Sequence, residues 1–397
     1  MRRITVVLCV VSLASCTHAF SAMPAGAPDA AVSERGPALG GSGYQLVYSF
    51  KNGDDGGFPY DTLANISSTL YGTTYGGSGG GQWGTVFALE SGRERVLYRF
   101  KAGNDGAHPI AGLIALGGTL YGTTYQGGTS GAGTVFRITP SGRESVLYSF
   151  KAGSDGEYPY SQLTVLGGTL YGTTYQGGVS TGWGTVFSVS KSGTEKILYR
   201  FRAGSDGAHP YAGLTPLDGV LYGTTYQGGT HGAGTVFKVT TSGQEHVIYS
   251  FKAGTDGEYP LADLLAVSGT FYSTTYQGGA STGWGTVFQV SPAGKERVLY
   301  RFQANDNGTH DGAHPYFSGL VLRDGIFYGT TYQGGTYGAG TVFSVSDTGK
   351  ETVLYSFKGQ PDGQYPYAGL NDLGGSLYGT TLQGGPSDAG TVFKFAP

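Results

Sequence analysis

Charge is scarce in this chain. Of its 397 residues only 13 % are Asp, Glu, Lys or Arg, about half of the ~25 % usual in soluble globular proteins. The 24 basic residues nearly balance the 27 acidic ones, for a formal net charge of −3. No basic tract gathers them, so the electrostatic footprint of a nucleic-acid partner is missing. Cysteine is scarcer still. Cys9 and Cys16 are the only two, and their place near the amino terminus excludes a disulfide framework for the remainder. No later run is apolar enough to span a bilayer as a helix. What is abundant is glycine, at 74 positions, and aromatic residues, with 30 Tyr and 20 Phe. Disordered chains are poor in aromatics, and the glycines keep no collagen period. The composition describes a glycine-turned, aromatic-cored, all-β protein.

The amino terminus reads as a targeting segment. Arg2 and Arg3 precede an apolar run from Ile4 to Leu13, a signal-peptide pattern too short for a transmembrane helix. It ends in Leu13-Ala14-Ser15-Cys16, which resembles the lipobox of bacterial lipoproteins, where the cysteine becomes the lipidated first residue. The expectation is a membrane anchor at Cys16; ordinary cleavage after Ala19 would instead give a secreted protein. Residues 17–43, rich in Ala, Pro, Gly and Ser, read as a flexible tether.

Self-similarity governs everything that follows. Tyr-Gly-Thr-Thr begins at Tyr71, Tyr121, Tyr171, Tyr222, Tyr328 and Tyr378, with Tyr-Ser-Thr-Thr at Tyr272, at spacings of 50, 50, 51, 50, 56 and 50. Each copy continues to Gly-Thr-Val-Phe, and a third element of the type Val-Leu-Tyr-Ser-Phe ends at Phe50, Phe100, Phe150, Phe201, Phe251, Phe302 and Phe357. A period near 50 holding several short strand signals is the mark of propeller blades. In copy two the strands read as Leu113–Leu116, Thr119–Tyr125, Thr134–Thr139 and Glu144–Phe150, joined by Gly-rich turns. The ends complement one another. Gln45–Phe50 is a fourth strand without its first three, and Thr391–Phe395 a third strand without its fourth. The expected fold is a seven-bladed β-propeller over 44–397, its last blade closed by the N-terminal strand.

These strings carry a resemblance. Leu-Tyr-Gly-Thr-Thr-Tyr-Gln-Gly-Gly, Gly-Thr-Val-Phe, Gly-x-Glu and Val-Leu-Tyr-Ser-Phe resemble the GloVer tandem repeat of bacterial "choice-of-anchor" surface proteins. The resemblance covers all seven copies. It implies an exported, anchored repeat protein, and brings neither an established activity nor functional residues to carry over.

The recurring residues define the candidate chemistry. Every interblade linker contains Asp-Gly-x-x-Pro, at Asp55, Asp105, Asp155, Asp206, Asp256, Asp311 and Asp362. This is a turn signal, Asp bonding backbone N–H groups and Gly taking positive φ. A second set alternates. Trp83, Trp183 and Trp284 stand before Gly-Thr-Val-Phe in blades one, three and five, where Ala132, Ala233 and Ala339 stand in two, four and six. Arg99, Arg200 and Arg301 end the fourth strands of the Trp blades, followed by His108, His209 and His314; Ser149 and Ser250 are followed instead by Glu157-Tyr158 and Glu258-Tyr259. One reading makes Trp83, Trp183, Trp284, Tyr158, Tyr259, Glu157 and Glu258 repeated sugar-binding shelves, rings for stacking and carboxylates for hydroxyls. The other is a packing code, with Arg lying over an aromatic ring. The Glu of Gly-x-Glu (Glu94, Glu144, Glu195, Glu245, Glu296 and Glu351) reads as a solvated cross-strand charge pair at the opposite face.

Catalysis needs unlike groups converging at one place, which near-identical blades do not offer. An insertion near Asn305–His310 brings Asp306, His310, Asp311 and His314 close in sequence, without the spacing of a zinc or calcium site. No Gly-x-Ser-x-Gly elbow, His-Glu-x-x-His or phosphate loop occurs, and no cofactor or metal is implied. The expectation is a non-catalytic, surface-anchored binding or scaffold module for a glycan or an envelope protein. The alternative is a polysaccharide-active enzyme with its site at the channel mouth.

Overall fold

The computed structural model describes residues 43–397, apart from Ser78, 179–181, 280–282 and 305–309. The signal segment, Cys16, nearly all of the tether and most of the insertion in the linker into blade six therefore lie outside the described residues. Seven four-stranded antiparallel sheets succeed one another around a ring. Blade two has strands Ile114–Leu116, Thr119–Thr124, Thr134–Ile138 and Glu144–Ser149, paired in that order. These are the four segments expected from its sequence, each trimmed by one residue at one end. The ring closes as its ends foretold: Tyr44–Ser49 pairs antiparallel with Thr391–Phe395, from Tyr44 opposite Phe395 to Ser49 opposite Thr391, with a shift of register between Leu46 and Tyr48.

The repeated strings have separate packing duties. The Phe that ends each fourth strand inserts edge-on against the Phe of the next blade's Gly-Thr-Val-Phe. Phe100 and Phe136 are 5.1 Å apart at 73°, and Phe50 of the N-terminal strand makes the same contact with Phe87 between blades seven and one, at 5.2 Å and 70°. All are essentially inaccessible, and such pairs add about 0.5–1.5 kcal/mol beyond their burial. The glycine of Tyr-Gly-Thr-Thr makes room for this ring, since a Cβ on Gly122 would lie 2.8 Å from Phe136.

The threonines staple strands and blades. The second Thr of Tyr-Gly-Thr-Thr meets the Thr of Gly-Thr-Val-Phe in a buried hydroxyl pair, as in Thr124–Thr134 at 2.8 Å and Thr381–Thr391 at 2.7 Å. In six of the seven blades the first Thr reaches the linker beyond its blade, Thr123 being the exception. Thr73 donates to the Ala111 carbonyl, and Thr380 to that of Asp61, joining blade seven to blade one.

Candidate functional site

The linkers between blades and the loops joining second to third strands meet on one face. The residue before the linker proline stitches them together. His108 donates its N–H to the Trp83 carbonyl (2.8 Å) and accepts from the N–H of Tyr125 (3.1 Å), in the loop of the next blade. Phe58, His108, Tyr158, His209, Tyr259, His314 and Tyr365 all occupy this position with φ between 54 and 61°. That left-handed backbone is uncommon outside glycine and persists where surrounding contacts determine it; here both peptide groups are committed to neighbouring blades.

This stitch explains the alternation. In the Trp blades an imidazole lies against a tyrosine ring with the indole edge-on to it. His108 sits 4.4 Å from Tyr75 and 5.4 Å from Trp83, His209 4.5 Å from Tyr175 and 5.1 Å from Trp183, and His314 4.7 Å from Tyr276 and 5.0 Å from Trp284. Burial pushes the three imidazoles below the usual histidine range, and each Nδ1 lies 2.9–3.0 Å from a tyrosine carbonyl. In the alternate blades a phenol replaces imidazole and indole together. Tyr158 packs 4.9 Å from Tyr125 and Tyr259 4.8 Å from Tyr226, their N–H groups bonded to the Ala132 and Ala233 carbonyls. Trp83 is 37 % exposed; Trp183, Trp284, Tyr158, Tyr259, Glu157 and Glu258 are half-buried. The backbones of Glu157 and Glu258 pair with Gln176 and Gln277 in the loops of blades three and five. The ring found against Trp183 is His209. The arginines do not lie over rings: Nε of Arg99, Arg200 and Arg301 donates to the carbonyls of Asp54, Ser154 and Thr255 in the linker entering the same blade.

The linker aspartates fill the turn role. Asp105 accepts the Lys101 N–H at 2.8 Å, ahead of Gly106 at φ 96°. They also have a partner the repeat strings did not disclose, the tyrosine of each fourth strand, as in Tyr148–Asp155 (2.8 Å) and Tyr355–Asp362 (2.7 Å). Nor is the Gly-x-Glu carboxylate a solvated charge pair. Tyr48 lies 3.5 Å from Glu94 and Tyr249 3.4 Å from Glu296, each across a blade junction, while Oε1 of all six glutamates is buried without a hydrogen-bond partner. Burial, reinforced by the nearby Asp, lifts Glu94, Glu144, Glu195 and Glu296 to about 7 and Glu351 to about 8; Glu245 also reaches about 7, chiefly through burial. At the junction of blades six and seven Tyr44 takes the place of Glu, stacked on Tyr355 at 4.1 Å.

Symmetry breaks at the axis. Residues opening the first strands surround a cavity of about 190 Å³, lined among others by Asp61, Thr62, Tyr160, Gln162, Asp263 and Asn371. Where Asp61 stands, blades two to five have Ala111, Ser161, Ala212 and Ala262; where Asp263 stands, blades one to four have Thr62, Gly112, Gln162 and Gly213. These polar groups tie blades together. Asp61 accepts the Thr62 and Gly112 N–H groups, both at 2.6 Å, Asp263 that of Gly213 at 2.6 Å, and Asn371 that of Leu63 at 2.8 Å. Gln162 donates to the Leu113 carbonyl at 2.7 Å. Around them aromatic rings touch in succession, including Tyr60–Tyr367 at 4.9 Å, Tyr316–Tyr367 at 4.3 Å and Tyr160–Tyr211 at 4.8 Å. Burial pushes Asp61 up to about 7, with the Asp263 charge adding to it, and also raises Asp263. Asp263, Gln162 and Asn371 were not singled out; their signal was departure from the repeat beside the first strand.

The family model of the Gloeobacter/Verrucomicrobia repeat matches residues 37–183 and 167–393. No curated protein matches the chain. Among solved structures it is similar to puromycin hydrolase, with a TM-score of 0.55 at 14 % identity over 85 % of this chain and 52 % of that one. It is also similar to a puromycin-hydrolyzing peptidase of Mycobacterium tuberculosis, with a TM-score of 0.52 at 13 % identity over 86 % and 52 %. The chain thus spans about half the length of these proteins, and likeness at such identity extends to the fold alone.

Proposed function

The chain belongs to the Gloeobacter/Verrucomicrobia repeat family, and from that premise we propose that it is an exported, surface-anchored propeller whose loop face binds a glycan or envelope protein without transforming it. The observation that carries this reading is the recurrence of part-exposed indoles at Trp83, Trp183 and Trp284 on alternate blades of one face. An indole that keeps accessible surface can stack on a pyranose, and repetition around a ring lets a polymer engage several weak sites at once. Glu157, Tyr158, Glu258 and Tyr259 supply hydroxyl partners on the intervening linkers. Cys16 attaches the module to the membrane, so Cys16→Ser is expected to move the protein from the membrane to the soluble fraction; retention there would contradict the anchor.

Residues 44–397, screened on a glycan array and on isolated cell-wall polymers beside a folded Trp83/Trp183/Trp284→Ala variant, test the binding. Saturable binding by the parent and its loss in the variant are expected. Equal binding by both would remove the shelves, and no binding by the parent would remove the glycan. The unlike polar cluster at the axis favours the second reading, a polysaccharide-active enzyme; shortened polymer chains in the same incubations would establish it.

A further inference from the structure

The axial cavity offers a second kind of site, independent of the peripheral rings. Its two carboxyl groups are surrounded by protein, yet each keeps part of its surface open to the cavity. Among the described residues no Lys, Arg or His lines it. Asp61 has its backbone donors from Thr62 and Gly112. Asp263 uses one oxygen on Gly213, leaving its other carboxylate oxygen without a hydrogen-bond donor among the described residues. An uncompensated carboxylate in such a place is costly, and at these two positions four of the five other blades carry only Ala, Ser or Gly. The wall beside them is aromatic, with Tyr160, Tyr211 and Phe317.

We propose that this cavity is a binding site for a small organic cation carrying an ammonium group. The carboxylates of Asp61 and Asp263 neutralise the ammonium and accept its N–H groups, and the rings of Tyr160, Tyr211 and Phe317 contribute cation–π attraction. A cavity of about 190 Å³ is several times the ~30 Å³ share of one water in the liquid, which suits an organic guest better than a bare metal ion. A calcium ion would also seek six to eight oxygens at once, and the aromatic part of the wall supplies none.

Binding is coupled to pH with a definite sign. The titratable groups lining the cavity are Asp61, Asp263, Tyr160 and Tyr211. Burial holds both phenols above their ordinary range, so they stay neutral. Asp61, raised to about 7, must be ionised to hold a cation, so affinity falls as pH drops through 7, by up to about tenfold per unit.

Isothermal titration of the purified protein with 1,4-diaminobutane, ethanolamine and glucosamine, beside 1,4-butanediol, glucose and calcium chloride, tests the proposal. At pH 8 at least one of the three cations is expected to bind saturably, more weakly at pH 5, while the neutral compounds and calcium do not. Asp263→Asn keeps an oxygen for the Gly213 N–H and is expected to lose binding at least tenfold; Asp61→Asn serves should that variant fail to fold. Asp347→Asn, in an exposed hairpin, should bind as the parent does. Binding of the neutral compounds, binding of calcium alone, indifference to both Asp variants or no binding by any cation would each overturn the proposal. The Trp83/Trp183/Trp284→Ala variant retains cation binding if the two sites are separate, so failure of the glycan reading leaves this one standing.

Discussion

At the scale of single residues, the repeat spends its small polar side chains on closing backbone accounts. Thr124 is the clearest case. Its hydroxyl donates to the Gln126 carbonyl at 2.9 Å, accepts the Thr134 N–H at 3.1 Å and lies 2.8 Å from the Thr134 hydroxyl, all within a fully buried pair. Thr124→Val preserves shape but strands these groups, and a buried polar group without a partner costs about 1–3 kcal/mol. The expected result is a lower urea midpoint with an unchanged slope; a midpoint equal to that of the parent would contradict the role assigned to the pair. The identity of such threonines was plain from the strings. Their pairing followed once the strands were in register, because Tyr-Gly-Thr-Thr and Gly-Thr-Val-Phe face one another across a single hairpin.

At the scale of elements, the sequence was legible where partners are near in the chain and opaque where they lie a blade apart. Strand limits, turn aspartates and the Trp-with-His, Ala-with-Tyr covariation could be read directly, since each is local or repeats. The glutamate of Gly-x-Glu could not. Glu351 meets Tyr300 and Asp311 of the preceding junction, and a hairpin Glu beside a basic residue looks the same whether it faces water or a neighbouring blade. The difference has a consequence for pH. A carboxyl whose folded pKa is raised binds more protons in the native state than in the unfolded chain. Its presence therefore erodes stability as pH rises from its unfolded value, 4.5, through the folded value of about 8. Glu351→Gln removes that penalty. Its thermal midpoint is expected to exceed the parent's at pH 8.5, with the gain shrinking toward pH 5. A gain independent of pH would show that the carboxyl does not titrate as described. The imidazoles of His108, His209 and His314 act with opposite sign, their lowered pKa favouring the fold above the usual histidine range, so the comparison must be made between variant and parent at each pH.

At the scale of the whole molecule, the ring makes the site. The odd blade number prevents perfect alternation of Trp and Ala, and the seam falls between blades seven and one, where Ala389 meets Phe58. Circular closure also brings Asp61 and Asp263, at opposite ends of the sequence's first two-thirds, to one cavity. No strand pattern or spacing announces that meeting, because it depends on how seven blades share an axis. The periphery was more open to sequence reasoning, since every blade repeats the same face. Its three tryptophans are also all the tryptophans in the chain, and all three lie on the loop face. Intrinsic indole emission is therefore a direct reporter of the proposed contact. The decisive measurement is a titration of residues 44–397 with solubilised cell-wall polysaccharide, following tryptophan emission alongside co-sedimentation with the insoluble polymer. The account predicts a saturable change in emission over the concentrations at which the protein sediments. Sedimentation with unchanged emission would contradict it and place the contact elsewhere on the ring.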